Sequence, residues 1–104
     1  MTTINPARGE AALRVNGCAL KVRPSFEALV AAEGELGPLF GLVDRAAEGG
    51  LSLAETAALL WHCLHERPDG LTREALGEAL VGQGLAALSP VLGGLLRQIL
   101  AGRG

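Results

Sequence analysis

The densest group of chemically reactive side chains is the segment WHCLHE near the middle of the chain. His62, His65 and Glu66 are three and four positions apart, so on a helix they would share one face. Imidazole and carboxylate groups bind zinc, but a structural zinc site needs four ligands, usually including a second pair from elsewhere. The only other cysteine, Cys18, is expected on the core side of a hairpin. We therefore predict no zinc site, partly solvated histidines and a small buried side chain at Cys63.

Other side chains that could catalyse a reaction have simpler roles. Nucleophilic catalysis needs a serine or cysteine beside a base and an orienting third group. The hydroxyl side chains stand where helices are predicted to begin and are interpreted as caps: Ser25, Ser52, Thr72 and Ser89. The carboxylates are scattered over predicted solvent faces, and the 15 glycines form neither a dinucleotide-binding motif nor a phosphate-binding loop. We therefore predict that the protein has no catalytic residue, binds no cofactor and is not an enzyme.

Composition narrows the classes of partner. A formal charge of -2 without a basic stripe argues against nucleic acid and anionic membranes. Two cysteines make no disulfide framework, which fits a reduced cytoplasmic setting. No stretch approaches about 18 uninterrupted apolar residues, and the most apolar part, Leu85 to Leu100, is broken by Pro90. We expect residues 1–8 to be a disordered tail and residues 9–104 to form one domain.

Residues 9–23 alternate between apolar and polar side chains on either side of Asn16-Gly17. This dipeptide suits a two-residue turn, because both positions need positive φ. The resulting register pairs Val15 with Cys18, so that the apolar side chains share one face and the charged ones the other. The pattern predicts an antiparallel β-hairpin.

The remaining sequence has the spacing and end signals of helices. Ser52 and Glu55 have the spacing of a capping box, and Leu71 with Leu76 that of a hydrophobic staple. The five predicted helices run from Ser25 to between Gly34 and Gly37, from Pro38 to Gly49, from Ser52 to about Glu66, from Thr72 to between Gly82 and Gly84, and from about Leu85 to Ala101. The expected fold class is α+β, with an N-terminal β-hairpin packed on a bundle of about five short helices.

The hairpin and the first helix also carry a resemblance. An R-G-E start, a turn glycine, a second strand ending R-P-[ST]-[FY] and a helix with A-L and E resemble the small tail proteins of gene transfer agents and related prophages. These proteins are described as tail tube proteins and grouped with tail assembly chaperones. The residues that carry the pattern are Arg8, Gly9, Glu10, Gly17, Arg23, Pro24, Ser25, Phe26, Ala28, Leu29, Glu33 and a glycine at 34 or 37. Less specific similarity extends from about residue 8 to residue 102.

The resemblance implies a role in tail morphogenesis and no reaction mechanism. The expected function is that of a tail assembly chaperone that binds a tail tube or tape-measure protein; a structural tail component that self-associates and a small helical module for an apolar ligand are the alternatives. Trp61, Leu64 and Phe40 are the candidate partner-binding residues. Trp61 could instead belong to the core, and its replacement by alanine distinguishes these roles.

Overall fold

The computed structural model describes residues 11–15 and 17–101. Strands β1 (Ala11–Val15) and β2 (Cys18–Val22) form the predicted antiparallel hairpin, with Val15 opposite Cys18 and Ala11 opposite Val22. Gly17 has a φ of 82°, which a two-residue turn requires and glycine adopts without strain. The hairpin and its register are therefore confirmed. Asn16 and the tail predicted over residues 1–8 lie outside the described residues.

The chain after the third helix forms a strand that the sequence did not predict. Helix α3 (Leu53–Cys63) ends three residues before the expected Glu66, and β3 (Leu64–His65) pairs antiparallel with β2. The Arg23 N–H donates to the Cys63 carbonyl at 2.7 Å, which continues this pairing. Hydrogen bonds to the open edge of β2 thus replace the last helical turn, and the sheet has three strands in the order β1-β2-β3.

The predicted caps define the helix starts. Helix α1 (Phe26–Leu36) starts after Ser25, whose hydroxyl accepts from the Ala28 N–H at 3.1 Å, and α2 spans Leu39–Ala47. Both halves of the capping box between Ser52 and Glu55 are present in α3. Helix α4 (Arg73–Gln83) starts after Thr72 with the same kind of cap. The caps satisfy amide donors that the first helical turn leaves free.

The C-terminal segment differs from the single helix predicted. A 3₁₀ turn (Leu85–Leu88) precedes α5 (Ser89–Ala101), and Ser89 has helical φ and ψ of −55° and −46°, so it is the first residue of the helix and not its cap. Pro90 lies in the first turn, where a missing N–H costs no hydrogen bond. Within residues 11–15 and 17–101 no single helix is long and apolar enough to cross a membrane; α4 and residues 85–100 pass that test together only as two arms bent by 107°.

The sheet and the helices share one buried cluster. Its members are Leu13, Val15, Leu20, Val22, Ala32, Leu42, Leu59, Leu60, Cys63, Leu64, Leu76, Leu80, Leu88 and Leu95. The prediction that Cys18 faces the core is wrong. Cys18 is exposed, because it sits beside the turn at the end of the hairpin. Phe26 is 85% exposed, because it is the first residue of α1, where the buried residue is Ala32.

A candidate protein-binding groove

The reactive side chains around His62 form an ionic cluster that joins three helices. Arg73 on α4 bonds both carboxylate oxygens of Glu35 on α1, with Nη1–Oε2 at 2.6 Å and Nη2–Oε1 at 2.5 Å. His62 Nε2 lies 2.8 Å from Glu35 Oε1 and 3.1 Å from Arg73 Nη2. This nitrogen either donates to the carboxylate or accepts from the guanidinium, and it cannot do both. We call these residues, with Trp61 and Arg67, the Glu35 cluster.

Trp61 is held inside this cluster by cations. The Arg67 guanidinium carbon lies 4.5 Å from the ring centroid and that of Arg73 lies 6.0 Å from it. Arg67 also donates to the Trp61 carbonyl at 2.9 Å, which ties the chain after α3 back to the helix. Trp61 is partly buried and packs against the core. Cation–π contacts and core packing occupy its ring.

The electrostatics of the cluster come from close pairing at the surface. The hydrogen bonds from Arg73 and then from His62 lower the pKa of Glu35 from 4.5 to about 2. A similar pairing joins α2 to α3, where the hydrogen bond from Arg45 and then the Ser52 N–H lower the pKa of Glu55 to about 2. Both carboxylates are therefore ionised at neutral pH and connect helices.

The expected helix face of His62, His65 and Glu66 does not form, which corrects that prediction. His65 belongs to β3 and Glu66 adopts a φ of 54°, so only His62 remains on α3. Among the described residues, no group of three or more His, Cys, Asp and Glu side chains could hold a metal. Burial raises the pKa of the Cys63 thiol to about 12, so this cysteine is not a nucleophile at neutral pH.

A different part of α3 and α4 forms an open apolar groove of about 780 Å³. The residues that line it, which define the α3–α4 groove, are Leu53, Ala54, Ala57, Glu74, Gly77, Glu78, Val81 and Gly82. Leu53 is 44% exposed and Val81 is 56% exposed. Leu76 and Leu80 on another side of α4 are fully buried. One side belongs to the core, and the other faces solvent.

A smaller depression of about 310 Å³ lies beside the 3₁₀ turn. Leu53 lines both the groove and this depression, and Leu85, which is 57% exposed, lines the second. Most of the second depression is lined by apolar side chains, with Thr56 and Ser89 adding hydroxyls. Since the Thr56 hydroxyl already donates to the Ser52 carbonyl at 3.0 Å, it is committed within α3. Both depressions are suited to apolar contact.

The three residues predicted to bind a partner have different environments. Phe40 is 83% exposed in the first turn of α2. Trp61 is partly buried in the Glu35 cluster. Leu64 is 6% exposed because β3 pairs it with Val22, so its side chain is unavailable to a partner while the sheet is intact.

The sequence-based prediction placed the partner-binding surface at Trp61, Leu64 and Phe40 and did not identify the groove. A signal was nevertheless present. Positions 74, 77, 78 and 81 recur at the spacing of one helix face, and Leu76 and Leu80 mark another. On the first of these faces Val81 is accompanied by Glu74, Gly77 and Glu78, so the apolar signal was weak.

Comparison with known proteins agrees with the resemblance in the hairpin and first helix. The family model described as phage tail tube protein, GTA-gp10, matches residues 8–102 of the 104-residue chain. The match therefore extends over the hairpin, the Glu35 cluster and the groove. No curated protein and no solved structure shows significant similarity. The chain belongs to the phage tail tube protein GTA-gp10 family.

Proposed function

We propose that the protein is a non-enzymatic factor of tail morphogenesis that binds other tail proteins through its exposed apolar surface. The observation that carries this proposal is the α3–α4 groove, where Leu53 and Val81 are about half exposed in a continuous depression. Contiguous apolar surface is costly in water, and it marks interaction sites in proteins whose core is otherwise closed. Phe40 offers a further exposed contact on α2.

The partner that fits best is the tail tube or tape-measure protein, which this chain would bind as a tail assembly chaperone. Family membership supports a tail role, and the groove supports binding to a protein over catalysis. Such a factor would act in the host cytoplasm during assembly. The side chains that could catalyse a reaction also support a non-enzymatic role. Glu35, His62 and Arg73 pair with one another and connect helices.

A permanent place in the tail is the second candidate, and the edge of the sheet favours it. In a hairpin with a two-residue loop the backbone groups of Ala12 and Arg14 point away from β2, towards the outer edge of β1. Another strand could pair there. The side-chain amide of Gln83 already donates to the Arg14 carbonyl, which occupies part of this edge. That contact favours the groove over the edge as the main surface.

Co-expression tests both candidates. The tagged chain is expressed with the tail tube and the tape-measure protein of the same tail, and retained proteins are identified after purification. A chaperone is expected to retain one of them and to be absent from finished particles, whereas a structural component would be found in the particles. If neither protein is retained and particles that lack the gene build normal tails, the assembly role is excluded.

A further inference from the structure

The shape and charge of the α3–α4 groove indicate what kind of segment it binds. We propose that the groove receives an amphipathic helix of a tail protein, with a narrow apolar face and with lysine or arginine on the flank that meets Glu74 and Glu78. This inference rests on the proposed function and specifies its partner.

The shape of the groove fits a helix. Its α4 wall consists of positions 74, 77, 78, 81 and 82, which span about 12 Å along the helix axis, or just over two turns. The apolar side chains Leu53 and Val81 project from its walls, and the other apolar contacts are small: Ala54, Ala57, Gly77 and Gly82. Small residues let a third backbone approach closely, and large side chains from that backbone can then fill the space. In helix-in-groove recognition the bound helix places its apolar anchors along one face, at positions i, i+3, i+4 and i+7.

The charge of the groove selects the flank of that helix. The two charged residues that line it, Glu74 and Glu78, are both acidic. Within residues 11–15 and 17–101, neither forms an ion pair. They stand four positions apart on α4, where like charges destabilise a helix. The neighbouring Arg73 cannot relieve them while it bonds Glu35. A basic side chain from a partner would remove this repulsion on binding, and an acidic one would increase it.

The same charges argue against a second copy of the chain as the occupant. Two copies that met groove to groove would bring Glu74 and Glu78 of each into one interface. Like charges opposed in an interface cost binding energy. The groove residues include no lysine or arginine that could offset them. A partner of different sequence avoids this cost.

The test compares two glycine variants of the full chain. A Cβ at Gly77 meets nothing within 4 Å, so Gly77→Leu starts from open space and places an apolar side chain in the groove. Gly34 on α1 is equally open and lies outside the groove, so Gly34→Leu is the matched control. The probe is the tail tube or tape-measure protein retained by the wild-type chain, together with overlapping synthetic peptides that cover its sequence. Binding is titrated by biolayer interferometry, and circular dichroism checks the fold.

We expect Gly77→Leu to raise Kd at least about tenfold and Gly34→Leu to change it less than about twofold. Val81→Lys, at a 56% exposed position, provides a second blocking variant that needs no change in the core. The binding peptide should be amphipathic and rich in lysine or arginine along one flank. Glu78→Lys should weaken its binding more than Glu48→Lys, an exposed change outside the groove, and high salt should reduce the difference.

The outcomes separate the inference from the function on which it rests. If the wild-type chain retains a tail protein and both blocking variants bind it equally well, the groove is not the site and the proposed function survives. If the binding peptide carries an acidic flank, or Glu78→Lys strengthens binding, the charge argument is wrong. A wild-type dimer in sedimentation equilibrium that Gly77→Leu dissociates would assign the groove to a second copy. Failure of the wild-type chain to retain either tail protein rejects the proposed function itself.

Discussion

Helices α3 and α4 carry two surfaces that differ in whether their charged and apolar side chains have partners within the protein. In the Glu35 cluster, Arg73 bonds both oxygens of Glu35, and Arg67 lies over the ring of Trp61. In the α3–α4 groove, Leu53 and Val81 are about half exposed, and Glu74 and Glu78 form no ion pair with another described residue. The first surface holds helices together, and the second has unused capacity for contact. Side chains with obvious chemistry can thus be structural, whereas a plain apolar face is the better candidate for function.

Replacing Trp61 by alanine should have the largest effect and should act on stability. The ring packs against the core and lies near two guanidinium groups, so Trp61→Ala should lower the free energy of unfolding by roughly 3 kcal/mol. Chemical denaturation followed by circular dichroism measures this. Binding to a tail protein, measured where the variant is still folded, should change little. A stable variant that no longer binds would make Trp61 an interface anchor and would remove the distinction between the two surfaces.

Replacing Gly77 by alanine should have a smaller and opposite effect on stability. The position is in the interior of α4 and its Cβ would meet open space, so Gly77→Ala should raise the free energy of unfolding by about 1 kcal/mol. Gly34→Ala on α1 provides the comparison. A loss of stability at Gly77 alone would show that the groove is closed in solution by another part of the chain.

The ion pairs of Glu35 and Glu55 should make the stability of the fold depend on pH in the acidic range. The pKa of Glu35 and that of Glu55 are each lowered from 4.5 to about 2, so their contribution is complete above pH 4.5 and is lost as the pH falls towards 2. Glu35 is exposed and Glu55 is partly exposed, so added salt should reduce the effect. Glu35→Gln should flatten the decline in thermal stability over this range, and Glu78→Gln in the groove should not. Equal flattening by the two changes would mean that the cluster carries no special pairing.

Addition or removal of zinc should have the smallest effect on stability. Arg73 Nη2 lies 3.1 Å from His62 Nε2, and a guanidinium at this distance opposes a second cation. The melting temperature should be the same with equimolar zinc as with a chelator, and elemental analysis of the purified protein should find no stoichiometric metal. A chelator that unfolds the protein would contradict this prediction.

Local rules were sufficient for much of the fold. The turn glycine and the alternation fixed the hairpin register, and the caps at Ser25, Ser52 and Thr72 fixed the helix starts, because each depends on residues within a few positions. The third strand was missed because its cause is distant. Leu64 and His65 leave the helix to pair with β2, which lies more than 40 positions earlier in the chain.

The site was harder to predict for the same reason. Whether an apolar residue of α4 is buried depends on the elements that pack against the helix, which bury Leu76 and leave Val81 exposed. The partners of His62 come from α1 and α4, 27 and 11 positions away in sequence. The family resemblance indicated the kind of function, but the binding surface required the tertiary arrangement.

Methyl NMR of the chain bound to the retained tail protein tests the central claim most directly. Val81 in the groove is 56% exposed and Val30 on α1 is 50% exposed, so the two report on different surfaces with similar sensitivity. On addition of the partner, the methyl signals of Val81 and Leu53 should shift while those of Val30 stay in place. Shifts at Val30 with none at Val81 and Leu53 would show that tail proteins bind elsewhere and would contradict the assignment of the α3–α4 groove.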